Sequence, residues 1–218
     1  MWKKQKVYLI KINSNKSGGV FFLKLKEPGI KAGVSNRHIH VSKEDLKTLF
    51  GENYELTPIK DLGQPAQYAA DEKVIIVGKK GAIPGIRVLG PVRPKTQIEI
   101  SRTDSFQVGV KPPLKDSGDL EGSASLTVVG PKGTVVLKEG VIIAKRHIHM
   151  TPEDAETYGV KDKDIVKVYC EGDGQRKTVF DDVLIRVSPK YALEFHVDVD
   201  EANAAFLSNN QLVYIIEE

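Results

Sequence analysis

Ser35-Asn36-Arg37-His38-Ile39-His40-Val41-Ser42-Lys43-Glu44-Asp45 recurs 109 residues downstream as Ala144-Lys145-Arg146-His147-Ile148-His149-Met150-Thr151-Pro152-Glu153-Asp154. The offset is half of the 218-residue length, so the chain is read as two related halves. Each copy opens with a strand-like approach, Ile30 to Val34 or Val141 to Ala144, and passes through Arg-His-Ile-His into a helix start. Ser42 with Asp45, and Thr151 with Asp154, place an N-cap hydroxyl three residues before an acid. Pro152 sits at the first helical position, where its missing N–H costs nothing. Gly51 and Gly159 are the expected stops, which leaves two short helices of about two turns each.

Outward from the repeat, the chain reads as short β-strands punctuated by glycine and proline. Val74 to Val77 meets a Gly78-Lys79-Lys80-Gly81 turn, and Thr96 to Ser101 alternates polar and apolar residues. Ser125 to Val129 and Thr134 to Leu137 flank Gly130-Pro131-Lys132-Gly133, and Ile165 to Cys170 and Thr178 to Val187 flank Glu171-Gly172-Asp173-Gly174, two hairpin patterns. Residues 111–123 read as a loop. Glu201 to Leu207, capped by Asp200, reads as a last helix before a final strand, Leu212 to Ile216. Strands at this spacing predict small barrels rather than a parallel sheet. The expected fold class is mostly β, two small β-barrel domains with short capping helices, related by internal duplication. Residues 1–27 alternate with period two around Asn13 to Gly19 and read as an N-terminal extension of extra strands or poor order.

Charge narrows the functional classes. The net charge of +3 comes from 32 basic and 29 acidic side chains mixed along the chain, with no basic run. A phosphate-tracking surface needs clustered Lys and Arg, so nucleic acid is not the expected partner, whereas a small anionic substrate is compatible. One cysteine, Cys170, permits no intrachain disulfide. Val7 to Ile10 is cut by Lys11 and is too short for a signal h-region, and no long apolar run predicts a membrane span. The expected compartment is the cytoplasm. No glycine-rich phosphate loop of Walker or Rossmann spacing is present.

The chain has five histidines, and four of them form the two His-x-His pairs. In an extended segment residues i and i+2 project on one side, so His38 with His40, and His147 with His149, can each chelate one metal, and zinc suits neutral imidazole. A lone histidine is more often a hydrogen-bonded structural residue, but a doubled tetrapeptide favours metal binding. His196, in Leu193-Glu194-Phe195-His196-Val197-Asp198, is the natural third ligand for one pair. Arg37 and Arg146 point to the strand face opposite their histidine neighbours, which leaves ion pairing and substrate contact both open. Cys170 has no neighbouring base and reads as a buried structural thiol.

These motifs, with Leu62-Gly63-Gln64-Pro65-Ala66-Gln67-Tyr68-Ala69, Arg87-Val88-Leu89-Gly90-Pro91-Val92-Arg93 and Thr96-Gln97-Ile98-Glu99-Ile100-Ser101, resemble the PduL-type phosphate propanoyltransferases from about residue 30 onward. The resemblance implies a phosphotransacylase that moves a short acyl group, propanoyl or acetyl, reversibly between coenzyme A and inorganic phosphate. It implies a central β-barrel over residues 37–144, and a second barrel from residues 145–218 completed by residues 28–36. It further implies two zinc ions per chain close together between the barrels, one held by His38 and His40 with Glu99 nearby, the other by His147, His149 and His196. Arg93 then meets the phosphate as the catalytic cation, and a homodimer is the family's expected assembly. Members targeted to bacterial microcompartments look as if they carry an amphipathic helical extension; Gly18-Gly19 and strand-like alternation here point to a free cytoplasmic enzyme beside that encapsulated option.

Two other functions fit the histidine pairs. Paired metals also suit a binuclear zinc hydrolase, although many such hydrolases extend His-x-His with Asp-His, where this chain has Val41-Ser42 and Met150-Thr151. A noncatalytic metal-binding barrel is the third reading, and Arg93 and Glu99 argue against it.

Overall fold

A computed structural model describes residues 7–13 and 20–217. In chain order it has β1 (Val7–Asn13), β2 (Val20–Lys26), β3 (Ile30–Ser35), β4 (His38–His40), α1 (Lys43–Phe50), β5 (Pro58–Asp61), β6 (Tyr68–Val77), β7 (Ala82–Gly90), β8 (Gln97–Glu99) and α2 (Arg102–Val108). There follow β9 (Leu114–Lys115), β10 (Ala124–Val129), β11 (Thr134–Ala144), β12 (His147–Met150), α3 (Pro152–Tyr158), β13 (Ile165–Cys170), β14 (Thr178–Val187), β15 (Glu194–Asp198), α4 (Val199–Ala205) and β16 (Leu212–Ile215). The molecule is mostly β, as its strand spacing predicts, and no helix among the described residues is long and apolar enough to cross a membrane.

The chain divides into two compact units. One holds the described residues up to Val34 together with Arg146–Val197 and Glu201 onward. Its strands form a closed barrel in the order β12-β14-β13-β16-β3-β15. Period two explains the wall: Ile148 and Met150 of β12 turn into a core with Ile30, Val168, Ile185 and Phe195, while His147 and His149 take the other face. The ribbon β1–β2 pairs antiparallel from Val7↔Lys26 to Asn13↔Val20, and its Leu25 packs with Tyr169 and Ile216. Residues 1–6 and 14–19 of the anticipated extension lie outside the described residues.

The other unit holds Ser35–Lys145 with Asp198–Asp200. Its sheet runs β10-β11-β8-β4-β7-β6, with β5 beyond β6, and the pairing of β10 with β6 closes a six-strand ring. Ile39 and Val41 bury into a core with Val74, Ile76, Ile86, Val88 and Ile98. The two units share one local plan. The His-x-His strand lies between a parallel and an antiparallel neighbour in each: β4 between β7 and β8, and β12 between β14 and β15.

Helix starts follow their caps. Ser42 Oγ accepts from Asp45 N at 3.1 Å, and Thr151 makes a reciprocal capping box with Asp154 ahead of Pro152. Three readings of the sequence need correction. Helix α2 was not anticipated; Ser101 and Asp104 form its capping box, and Gly109 ends it at φ 76°. Helix α4 starts at Val199, so Asp200 does not cap it; its carboxylate accepts from Thr103 N at 2.8 Å and thereby caps α2. Within residues 111–123, Leu114 and Lys115 pair parallel with Ile143 and Ala144 rather than remaining loop.

Candidate metal centre

His38 and His40 project from the same face of β4, their rings 5.1 Å apart and perpendicular. Glu99 lies directly opposite His38 on antiparallel β8, and its Oε2 is 3.6 Å from His38 Nε2. The ligand atoms of the three side chains all lie within 4.8 Å of one another. Backbone acceptors orient both rings. His38 Nδ1 is 2.8 Å from Asn36 O, and His40 Nδ1 is 3.2 Å from Leu89 O. A carbonyl only accepts, so each Nδ1 carries the proton and each Nε2 keeps its lone pair, as a metal ligand requires. Burial pushes the His40 imidazole down from its ordinary 6.5 to about 2, and the charges of His38 and Arg93 add to the shift. His40 is therefore neutral at any ordinary pH.

The other barrel repeats the arrangement with a third histidine. His147 and His149 lie on β12, and His196 faces His147 from antiparallel β15. Ring centroids stand 4.5 Å apart for His147–His149, 4.9 Å for His147–His196 and 4.8 Å for His149–His196. His149, although buried, has no hydrogen-bond partner on either nitrogen among the described residues. Its orientation comes instead from Tyr191, whose ring stacks on it at 4.1 Å. Arg186, in register with His149 on β14, donates to Tyr191 Oη at 3.3 Å. Burial, His147, His196 and Arg186 push His149 down to about 2.

Buried polar atoms without partners are costly and rare, and a metal ion would satisfy both His149 and the outward lone pairs of the first cluster. Each cluster could hold a metal ion. The donor sets, three histidines in one and two histidines with a carboxylate in the other, are those that zinc accepts at sites keeping an open position.

Arg93 follows β7 and docks on the end of the His-x-His strand, its N–H donating to Val41 O at 2.9 Å. Its Nη1 lies 3.5 Å from Ser117 Oγ, and that hydroxyl donates to Glu99 Oε1 at 2.9 Å. Arg93, His40, Pro65, Ala66, Gln67, Gly90 and Pro91 line a pocket of about 240 Å³. Arg37 and Arg146 are engaged in ion pairs. Arg37 makes a two-pronged contact with buried Asp104, 2.8 and 2.9 Å, and Arg146 reaches Glu201 at 3.3 Å. Cys170 is fully buried in the barrel core, and desolvation pushes its thiol up to about 12.

Sequence reasoning passed over Gln97, Ser117, Tyr191 and Glu194. Gln97 and Glu194 carry a signal that could have found them, since each precedes a third cluster residue by two and so shares its strand face. Glu194 Oε2 is 3.2 Å from His196 Nε2. Ser117 and Tyr191 lie between strands and carry no such signal.

A family model described as phosphate propanoyltransferase matches residues 31–208. The phosphate propanoyltransferase of Thermotoga maritima is 67% identical over 198 residues, which are 91% of this chain and 94% of that protein. That of Priestia megaterium is 55% identical over 179 residues, 82% of each chain. That of Lachnoclostridium phytofermentans is 53% identical over 188 residues, 86% of this chain and 87% of its own.

Proposed function

Since the chain belongs to the phosphate propanoyltransferase family, an acyltransferase family, we propose that it transfers a short acyl group, propanoyl or acetyl, reversibly between coenzyme A and inorganic phosphate with two zinc ions. His38, His40 and Glu99 would hold one ion and His147, His149 and His196 the other. Zinc supplies a Lewis acid with high affinity for thiolate, suited to the coenzyme A sulfur.

The chain's own groups bind and orient. Arg93 presents parallel N–H donors to phosphate, the fork geometry that matches two of its oxygens. A phosphate oxygen then adds to the acyl carbonyl carbon, the carbon–sulfur bond breaks, and the electron pair leaves on sulfur as coenzyme A thiolate, giving acyl phosphate. The reverse reaction runs from thiolate and acyl phosphate. Direct transfer is favoured over an acyl-cysteine route, because the buried Cys170 thiol stays protonated and has no adjacent base.

One observation carries this reading. Arg93 stands a single hydroxyl away from Glu99, the carboxylate of a cluster that could hold a metal ion, so an anion held there would lie beside that cluster. The test is to offer purified protein a panel of acyl-CoAs with and without phosphate and follow free thiol. Thiol release that requires phosphate is expected. Equal release without phosphate would make the protein a hydrolase and overturn the reading.

A further inference from the structure

Glu99 has two carboxylate oxygens that face different surroundings. Oε2 faces the imidazole of His38, while Oε1 receives two donors, Ser117 Oγ at 2.9 Å and Gln97 Nε2 at 2.6 Å. Gln97 is 1% exposed and lies two residues before Glu99 on the same face of β8. Its carboxamide is fully used. Gly118 N–H, which can only donate, is 2.9 Å from Gln97 Oε1, so the amide's orientation is fixed and Nε2 must face the site. One Nε2 hydrogen goes to Glu99 Oε1 and the other to Ser117 Oγ at 2.8 Å. Ser117 accepts from Gln97 and Arg93 and donates its single hydrogen to Glu99. Both hydrogens of the Gln97 amide and the hydrogen of the Ser117 hydroxyl thus have acceptors.

We propose that Gln97 is a positioning residue for the Glu99 metal ligand: it anchors Oε1, so that Oε2 is presented to the ion beside His38 and His40, and it holds the hydroxyl that links this carboxylate to Arg93. A carboxylate on a short strand would otherwise sample several rotamers, and the entropy of fixing it would weaken the metal site. Outer partners that orient ligating carboxylates govern affinity in this way. The other barrel offers an independent parallel. There the same corner, opposite the second histidine, is Glu194, and it too reaches the third cluster residue, His196, at 3.2 Å. Gln97 stands opposite His40 as Glu194 stands opposite His149.

This inference rests on the proposed metal sites, and the test separates the two. Metal-stripped wild-type, Gln97→Met and Ser117→Ala proteins are titrated with zinc against a chromophoric chelator, with thermal unfolding recorded in parallel. Gln97→Met preserves volume and removes the donors. Wild type is expected to take up two ions, and Gln97→Met to bind one as before and the other roughly 10- to 100-fold more weakly. Ser117→Ala should weaken the same ion to a smaller extent. At saturating zinc, Gln97→Met should regain kcat while keeping a raised KM for phosphate, a split that a purely structural residue would not give. Two ions bound with wild-type affinity by folded Gln97→Met would overturn the inference and leave the function standing. A wild-type chain that binds no zinc would overturn both. Should Gln97→Met not fold, Gln97→Asn, which withdraws the amide by one methylene, is judged by the same criterion.

Discussion

Glu99 holds in one barrel the place that His196 holds in the other. Glu99 lies opposite His38 on an antiparallel strand, His196 lies opposite His147, and a short helix begins three residues beyond each. The equivalent place thus carries an imidazole in one barrel and a carboxylate in the other. One cluster offers only nitrogen donors, and the other includes a carboxylate. A metal ion would gain charge compensation from the carboxylate and a softer donor set from the three imidazoles.

Positional equivalence makes a swap testable. Glu99→His should retain metal in its cluster, since imidazole is a zinc ligand and the strand geometry already serves one at the equivalent point. Glu99→Ala should lose it. Metal analysis of the two folded proteins is expected to give two ions and one ion per chain; equal values would remove Glu99 from the ligand set.

Metal dependence should be absolute for turnover. Chelator-treated protein is expected to lose phosphate-dependent thiol release and to recover it with added zinc. His38→Ala and His147→Ala should each remove most activity, because each takes a ligand from a different cluster. Activity that survives complete demetallation, verified by elemental analysis, would contradict the proposed site.

Arg93→Ala should cost about 1.5–3 kcal/mol, the worth of a hydrogen bond to a charged group, or roughly 10- to 100-fold in kcat/KM for phosphate. The effect on kcat/KM for acyl-CoA should be smaller, and Arg93→Lys should fall between wild type and alanine, since a compact ammonium cannot reproduce the fork. Unchanged phosphate kinetics in folded, zinc-loaded Arg93→Ala would take this residue out of the site.

Cys170→Ala should keep most activity and cost about 1 kcal/mol of stability through lost core packing. A thiol raised to about 12 is almost wholly protonated at neutral pH, so native protein should resist iodoacetamide that modifies it after unfolding. Rapid alkylation of the native chain with loss of turnover would reopen a covalent route.

The pH dependence of the metal-free protein has a defined sign. His40 and His149 titrate near 2 when folded and near 6.5 when unfolded, so between these values the unfolded chain binds more protons. Stability is then full above about pH 6.5 and declines as pH falls, by up to about 1.4 kcal/mol per pH unit for each histidine. Urea midpoints of demetallated protein from pH 7.5 to 5 measure this. The decline should shrink in His149→Gln, where one of the two groups no longer titrates.

What the sequence disclosed follows from physical range. The repeated Arg-His-Ile-His and its capping residues were legible because strand alternation and helix capping are local, and the same locality made the β13–β14 hairpin readable. Glu99 was reachable only through family resemblance. A glutamate between Ile98 and Ile100 reads as a solvent-facing strand residue until the strand beside it is known, and pairing between distant strands is not written in local periodicity. Helix α2 was missed because Arg102–Val108 has only Phe106 and Val108 as apolar residues, and Phe106 is exposed, so no amphipathic stripe announces it. Asp200 misled for a related reason: an N-cap residue type marks a helix start, but not which helix its carboxylate will serve.

The barrel that holds His147, His149 and His196 borrows β3 from far upstream, and this sets an order of events on the ribosome. Both neighbours of β3 in the barrel, β15 and β16, are synthesised long after it. At about 5–20 residues per second, Ile30–Ser35 waits roughly 10–35 seconds with both edges open. The Ser35–Lys145 unit can close its ring in that interval, because its six ring strands are already made. Lys31 and Gly33 make the waiting strand a poor template for foreign edges. The nascent chain therefore finishes its carboxylate site first, and its three-histidine site comes into being only as the last strands emerge.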